Sequence, residues 1–163
     1  MREISIDKAK MQDMPRILEI YAYARNFMRE NGNPTQWEDL ETIRKNLVTD
    51  IEHENLYLIK TGENIHGAFA FIIGDDPTYA KIEHGQWLSD KEYGTIHRVA
   101  SDGTLHGLMG IIVEFCSGKI NHLRIDTHED NKIMQHLILK NGFNKCGIIH
   151  ISDGSPRLAY ERI

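Results

Sequence analysis

The sequence predicts an α/β protein: one layered domain over residues 1–163, with helices packed on a mixed sheet. Three observations carry this. The chain has 163 residues, close to the ~150 of a typical domain and enough to bury a core without metal or disulfides. Hydrophobic residues make up 40% and charged residues 26%, near globular averages, which excludes collagen-like, coiled-coil and disordered classes. Stretches of strand-like and helix-like periodicity alternate, with no repeat, low-complexity tract or linker between them.

The elements follow in order. Ile4 and Ile6 alternate with polar neighbours and open the chain with a strand. Asp13 before Met14-Pro15 reads as an N-cap with an early helical proline. Ile17, Ile20, Tyr21, Ala24, Phe27 and Met28 then recur at helical spacing until Asn31-Gly32-Asn33-Pro34 stops them. Proline inside Asn33-Pro34-Thr35 rules out a glycosylation acceptor. A second helix, roughly Leu40 to Ile51, carries Ile43, Leu47, Val48 and Ile51 on one side, and Leu56–Lys60 and Ile65–Ile73 form a hairpin around Gly62-Glu63-Asn64. Asp75–Tyr93 has no clear period and reads as an elaborated loop with room for a short strand. Thr95–Ala100 is a central strand, Ser101–His106 a loop and Gly107–Phe115 a helix. The scheme repeats with a strand at Leu123–Thr127, a helix at Asp130–Leu139 ended by Asn141-Gly142, and strands at Cys146–Ile151 and Leu158–Arg162.

Charge and composition narrow the function classes. Nineteen basic residues against 24 acidic ones give a net charge of -5, which lacks the basic footprint of nucleic-acid binding. The longest apolar runs, Gly67–Gly74 and Leu108–Cys116, fall short of the ~20 residues of a membrane span. The N-terminus alternates charge and apolarity and has no apolar h-region, so a cytoplasmic chain is expected. Cys116 and Cys146 lack metal-ligand spacing and read as core thiols. None of the nine histidines falls in His-x-x-x-His spacing, and His122, His128 and His136 share no ligating period, so no metal is expected.

Chemistry gathers at the strand, turn and helix start from Ile96 to Gly110. Free backbone N–H groups and the dipole at such a helix start favour a phosphate or pyrophosphate, and Gly103, Gly107 and Gly110 admit close approach. The pattern is neither G-x-G-x-x-G nor a Walker A, which disfavours NAD and ATP. Leu123-Arg124-Ile125-Asp126-Thr127-His128 follows and runs into Asn131, and the next helix ends at Lys140-Asn141-Gly142-Phe143. Together these units resemble the GNAT superfamily of acyl-CoA-dependent N-acetyltransferases, in element order over nearly the whole chain and in the Asn131 to Gly142-Phe143 pattern.

The resemblance implies a mixed, mostly antiparallel sheet flanked by helices on both faces. It also implies an acetyl group moved from acetyl-CoA to a primary amine of a small molecule or peptide, in a chain compatible with a homodimer. On it, the backbone of Val99, Ala100 and Ser101 meets the pantetheine amides, the amides of His106, Gly107, Leu108, Met109 and Gly110 take the pyrophosphate, and Asn131 bonds the cofactor arm. There are departures. The family's glycine loop falls on Thr104-Leu105-His106-Gly107-Leu108-Met109, where Gly107 alone matches cleanly and Met109 stands where a small residue usually admits the phosphates. The usual acid, a tyrosine on the last helix, falls on Ile138.

His97 lies two residues before Val99, so strand periodicity puts both on one face, and an imidazole suits a base at neutral pH. A hydrogen-bonded sheet histidine explains it equally. Tyr93 holds the position six residues before Val99 where family members place a carboxylate base, and it relays a proton only through water. Asp126 and His128 are acceptor-binding candidates whose rival reading is a polar run leading into a helix cap. Tyr21 and Phe27 read as core at helical spacing, whereas Trp37, in a loop beside Gln36, reads as acceptor wall or as core. The alternative function is the same fold binding CoA or a partner without turnover.

Overall fold

The computed structural model describes residues 3–37 and 39–163. It is an α/β fold of seven strands and four helices. In chain order these are β1 (Ile4–Lys8), α1 (Met14–Glu30), α2 (Leu40–Glu52), β2 (Leu56–Thr61), β3 (Asn64–Ile73), β4 (Gly94–Ser101), α3 (Leu108–Ser117), β5 (Leu123–Thr127), α4 (Lys132–Lys140), β6 (Asn144–His150) and β7 (Pro156–Arg162). The sheet order is β1-β2-β3-β4-β5-β7-β6. β1 with β2, β2 with β3, β5 with β7 and β6 with β7 pair antiparallel, while β4 and β5 run parallel.

The chain forms two compact units: the residues up to Phe71 together with Arg98–Leu108, and Ile72–His97 together with Met109–Ile163. In the first, Ile17, Ile20 and Tyr21 of α1 and Ile43, Leu47 and Ile51 of α2 pack on Leu56, Leu58, Ala68 and Ala70 of the hairpin. These strand residues alternate with Tyr57, Ile59 and Phe69, which are also buried, so both faces of the hairpin are covered. Tyr57 and Phe69 are directly opposite in the register and stack at 5.4 Å, the kind of cross-strand pair that fixes a sheet.

In the second unit a smaller core gathers Tyr79, Tyr93, Ile149 and Ala159, with Trp87 packed against it. The long segment between β3 and β4 is ordered through this core. It contains a 3-10 turn at Pro77–Tyr79 and one isolated bridge, Glu83 to Ile148, in place of a short strand. Gly147 makes that bridge feasible, because a Cβ there would lie 2.6 Å from the Glu83 carbonyl oxygen.

Several expectations need correction. Asp13 does not cap α1 with its side chain; a 3-10 turn at Met11–Asp13 precedes the helix, and the Asp13 carboxylate accepts instead from the Lys10 N–H at 2.9 Å. Phe27 is 44% exposed and is not core, because the sequence pattern of α1 runs one turn beyond the surface it buries. The fourth helix starts at Lys132, capped by Asn131 rather than led by Asp130. Both cysteines are buried thiols, and burial pushes Cys116 up to about 12 and, with Glu161 beside it, Cys146 up to about 11.

Candidate active site

β4 and β5 are in parallel register over three pairs, Gly94 to Leu123, Thr95 to Arg124 and Ile96 to Ile125. Beyond Ile96, β4 continues through Arg98, whose φ of 51° lies in the left-handed region that a non-glycine residue rarely adopts. That residue breaks the two-residue alternation, so the inference that His97 and Val99 share a face because they are two apart does not hold.

His97 is mostly buried, and its Nε2 lies 3.0 Å from Asp76 Oδ2. The other Asp76 oxygen accepts from the Thr78 N–H at 2.9 Å and the Thr78 hydroxyl at 2.7 Å, an arrangement set by the Asp76-Pro77-Thr78 turn. Burial alone would raise the Asp76 carboxyl, but the hydrogen bonds from His97 and Thr78 outweigh it and hold the group at about 2. An ionised carboxylate only accepts, so His97 presents its Nε2–H to Asp76, and in the neutral tautomer this leaves the lone pair on Nδ1. Asp76 also donates its backbone N–H to the Tyr93 hydroxyl oxygen at 2.8 Å.

A cavity of about 610 Å³ reaches Asp76 of this pair, and is lined by Asp75, Asp76 and Asp90 among its polar groups and by Tyr79, Trp87 and Tyr93 among its rings. This size suits a small molecule, and carboxylates with aromatic faces suit an amine that arrives as an ammonium. Arg124 forms part of the wall, its guanidinium carbon 3.9 Å from the centroids of both Trp87 and Tyr93.

The residues expected to meet a cofactor are placed as follows. Val99 and Ser101 are half-buried on β4 and Ala100 is buried. The backbone just before them is clamped: Tyr21 donates its hydroxyl to the Arg98 carbonyl at 2.5 Å, and the Arg98 side chain grips Asp50 of α2 with two bonds of 2.7 and 2.8 Å. Asp50 is 4% exposed, so this is a buried charge fully paired. The loop after β4 is tied by Asp102, which accepts from Arg16 at 2.5 Å and from the Thr104 N–H at 3.0 Å. His106 and Gly107 are exposed at the start of α3, and Gly107 has φ +71°, a conformation that calls for glycine. Leu108 and Met109 are buried, so the Met109 side chain is spent on the core rather than crowding the exposed turn; Gly110 is half-buried. Asn131 is buried at the N-cap of α4, where its oxygen accepts from the Met134 N–H at 3.1 Å. Ile138 is fully buried.

The acceptor candidates are more occupied than the sequence suggested. Asp126 accepts from the Tyr79 hydroxyl at 2.6 Å. Burial and that carboxylate raise the Tyr79 phenol well above its ordinary value. The His128 ring accepts from the Asp130 N–H at 3.0 Å and so serves the turn before α4. Trp37 is half-buried, packs on the first core and lies 5.4 Å from the Tyr21 ring. Sequence reasoning missed Asp76, Tyr79 and Arg124. The turn signature Asp76-Pro77-Thr78 was the one available signal, and it says nothing of His97, 21 residues away. Among the described residues no group of three His, Cys, Asp or Glu could hold a metal ion, and no helix is long and apolar enough to cross a membrane.

No protein-family model and no curated protein matches the sequence. Solved structures do. An acetyltransferase of the GNAT family from Streptococcus agalactiae is 30% identical with a TM-score of 0.84, the alignment covering 98% of this chain and 95% of that one. GNAT-family acetyltransferases from Listeria monocytogenes (18% identical, TM-score 0.71, 99% and 95% covered) and Bacillus cereus (17%, 0.60, 98% and 96%) share the fold. With the seven-stranded mixed sheet, its parallel β4–β5 pair and a 30% identical relative matched along almost its whole length, the chain belongs to the GNAT family of acetyltransferases.

Proposed function

We propose that this protein is an acyl-CoA-dependent N-acetyltransferase that moves an acetyl group from acetyl-CoA to a primary amine of a small molecule or peptide by direct attack. The observation that carries the reading is a cavity of carboxylates and aromatic rings whose wall includes Asp76, the partner of His97, in a chain of this family. The amine nitrogen attacks the thioester carbonyl carbon, the C–S bond breaks, and CoA leaves as the thiolate. An acceptor that arrives as an ammonium gives one proton to water before the attack, and His97 Nδ1 takes the second from the nitrogen as it bonds to the carbonyl carbon, while Asp76 fixes the ring and its tautomer. Val99, Ala100 and Ser101 offer backbone groups to the pantetheine amides, and the amides from His106 to Gly110 take the pyrophosphate. Asn131 is proposed to donate a side-chain hydrogen bond to the cofactor arm, as the family resemblance implies. Trp37, Asp126 and His128 are at most secondary acceptor contacts.

Ile138, buried where the family usually has its acidic tyrosine, favours a second reading in which the fold binds CoA without turnover. A thiolate is a tolerable leaving group, so the missing acid does not forbid catalysis. Incubation with acetyl-CoA and a panel of primary amines, read by thiol release, tests the proposal: amine-dependent release is expected. CoA at ~100-fold excess over Kd should also stabilise the fold by roughly 2.7 kcal/mol. A raised thermal midpoint with no release for any amine assigns the non-catalytic reading, and an unmoved midpoint removes both.

A further inference from the structure

The geometry points to Arg124 as a positioning residue that acts through Tyr93 and Asp76 on His97, an inference that rests on the acyltransferase reading above. Arg124 stands on β5 at 4% exposure. Its Nε donates to Glu161 at 3.4 Å and its Nη2 to the Ser89 carbonyl at 2.7 Å, while its plane is held between Trp87 and Tyr93 at 3.9 Å from each centroid. Glu161 has no exposed surface and also accepts from His122 and, at 2.7 Å, from the Leu88 N–H. A buried ion network of this kind is weak evidence for stability, because desolvation offsets most of the attraction. What it does fix is geometry.

The planar guanidinium gives two rings a defined spacing, a task that a lysine ammonium cannot perform. Tyr93 is the ring that matters, since its hydroxyl oxygen accepts the Asp76 N–H and Asp76 in turn holds His97 Nε2. The Tyr79 ring, 6.1 Å from Tyr93 and 6.4 Å from the His97 ring, packs against both. Arg124 therefore sets the position of a base that it does not touch, and Tyr93 serves as the link in place of a base.

The test compares wild type with Arg124→Met/Glu161→Gln, which removes both charges together and leaves neither ion unpaired in the interior. Two readouts are taken: the nitrogen-15 resonances of the His97 imidazole, assigned with His97→Gln, and the kinetics of thiol release. In the folded double variant the His97 Nε2 resonance should move to its solvent-exposed position. kcat should fall about 10²-fold, with KM for acetyl-CoA unchanged, the size expected when a reacting group is misplaced by about an ångström. Arg124→Lys, which keeps the charge and loses the plane, should not restore kcat. Wild-type resonances and wild-type kcat in the folded double variant overturn the proposal. Should that variant fail to fold, Tyr93→Phe decides, because it keeps the ring and deletes only the acceptor for Asp76; an unmoved His97 resonance there overturns it equally. If wild type releases no thiol with any amine, the acyltransferase reading fails, and the resonances still decide what Arg124 does.

Discussion

The two compact units place their buried ions on different tasks. In the first, the side chains of Asp50 and Arg98 pair with each other, and Arg98 is itself the left-handed residue of β4, with Tyr21 bonded to its carbonyl. In the second, Glu161 and Arg124 bond backbone and side chains alike, and Asp76, held by Thr78 and Tyr93, pairs with His97. On the proposed function the two arrangements meet different needs. A cofactor arm read through peptide groups needs a fixed backbone, whereas proton transfer needs one ring fixed in position and tautomer.

The largest effect should come from the second unit. His97→Gln should lower kcat by ~10²- to 10⁴-fold and remove the limb of the pH–rate profile that rises with pH, while KM for acetyl-CoA stays put. A loss of stability and rate together, with the profile's shape retained, would make His97 a sheet histidine and erase the contrast. In the first unit, Asp50→Ala leaves the Arg98 guanidinium without its partner and should destabilise the fold by about 2 kcal/mol in chemical denaturation, less than a fully buried pair because Arg98 is 26% exposed. On the proposed division of labour it should raise KM for acetyl-CoA more than it lowers kcat.

Asn131 sharpens the comparison from another side, because it belongs to the second unit yet is proposed to serve the cofactor. Loss of the cap in Asn131→Ala should cost ~1 kcal/mol of stability. A fall in CoA affinity, measured by calorimetry, should exceed that cost; equal affinity would leave the residue a helix cap alone. The smallest effect is pH-dependent. Asp76 is held at about 2 in the folded protein, below the ordinary carboxylate value near 4, so the stability it contributes is present above pH ~4 and is lost as pH falls toward 2. Asp102 of the first unit is also lowered: burial opposes ionisation, and the bonds from Thr104 and Arg16 overcome it, so it contributes with the same sign. The thermal midpoint of Asp76→Asn should therefore fall less steeply than that of wild type across this range, and parallel curves would deny Asp76 its role as the partner of His97.

Much of the fold was legible because its signals are local. The strand and helix periods set every named element to within a few residues, and the strand–turn–helix from Ile96 to Gly110 stood out through its glycines. Asn131 was legible as a helix start for the same reason. The family resemblance rested on these neighbouring patterns, and a 30% identical structure agrees with it.

Fold class, the order of the elements and the strand–turn–helix from Ile96 to Gly110 could be read from the sequence, because periodicity, capping and turn chemistry act over a few residues. The tertiary structure alone decided which side chains meet. Asp76 pairs with His97 across 21 residues, Asp50 with Arg98 across 48, and Arg124 with Glu161 across 37. It also decided that Arg98 breaks the alternation of β4, that Met109 is buried and that Phe27 is not. Pairings of this kind depend on strand order, register and packing, so no spacing along the chain encodes them.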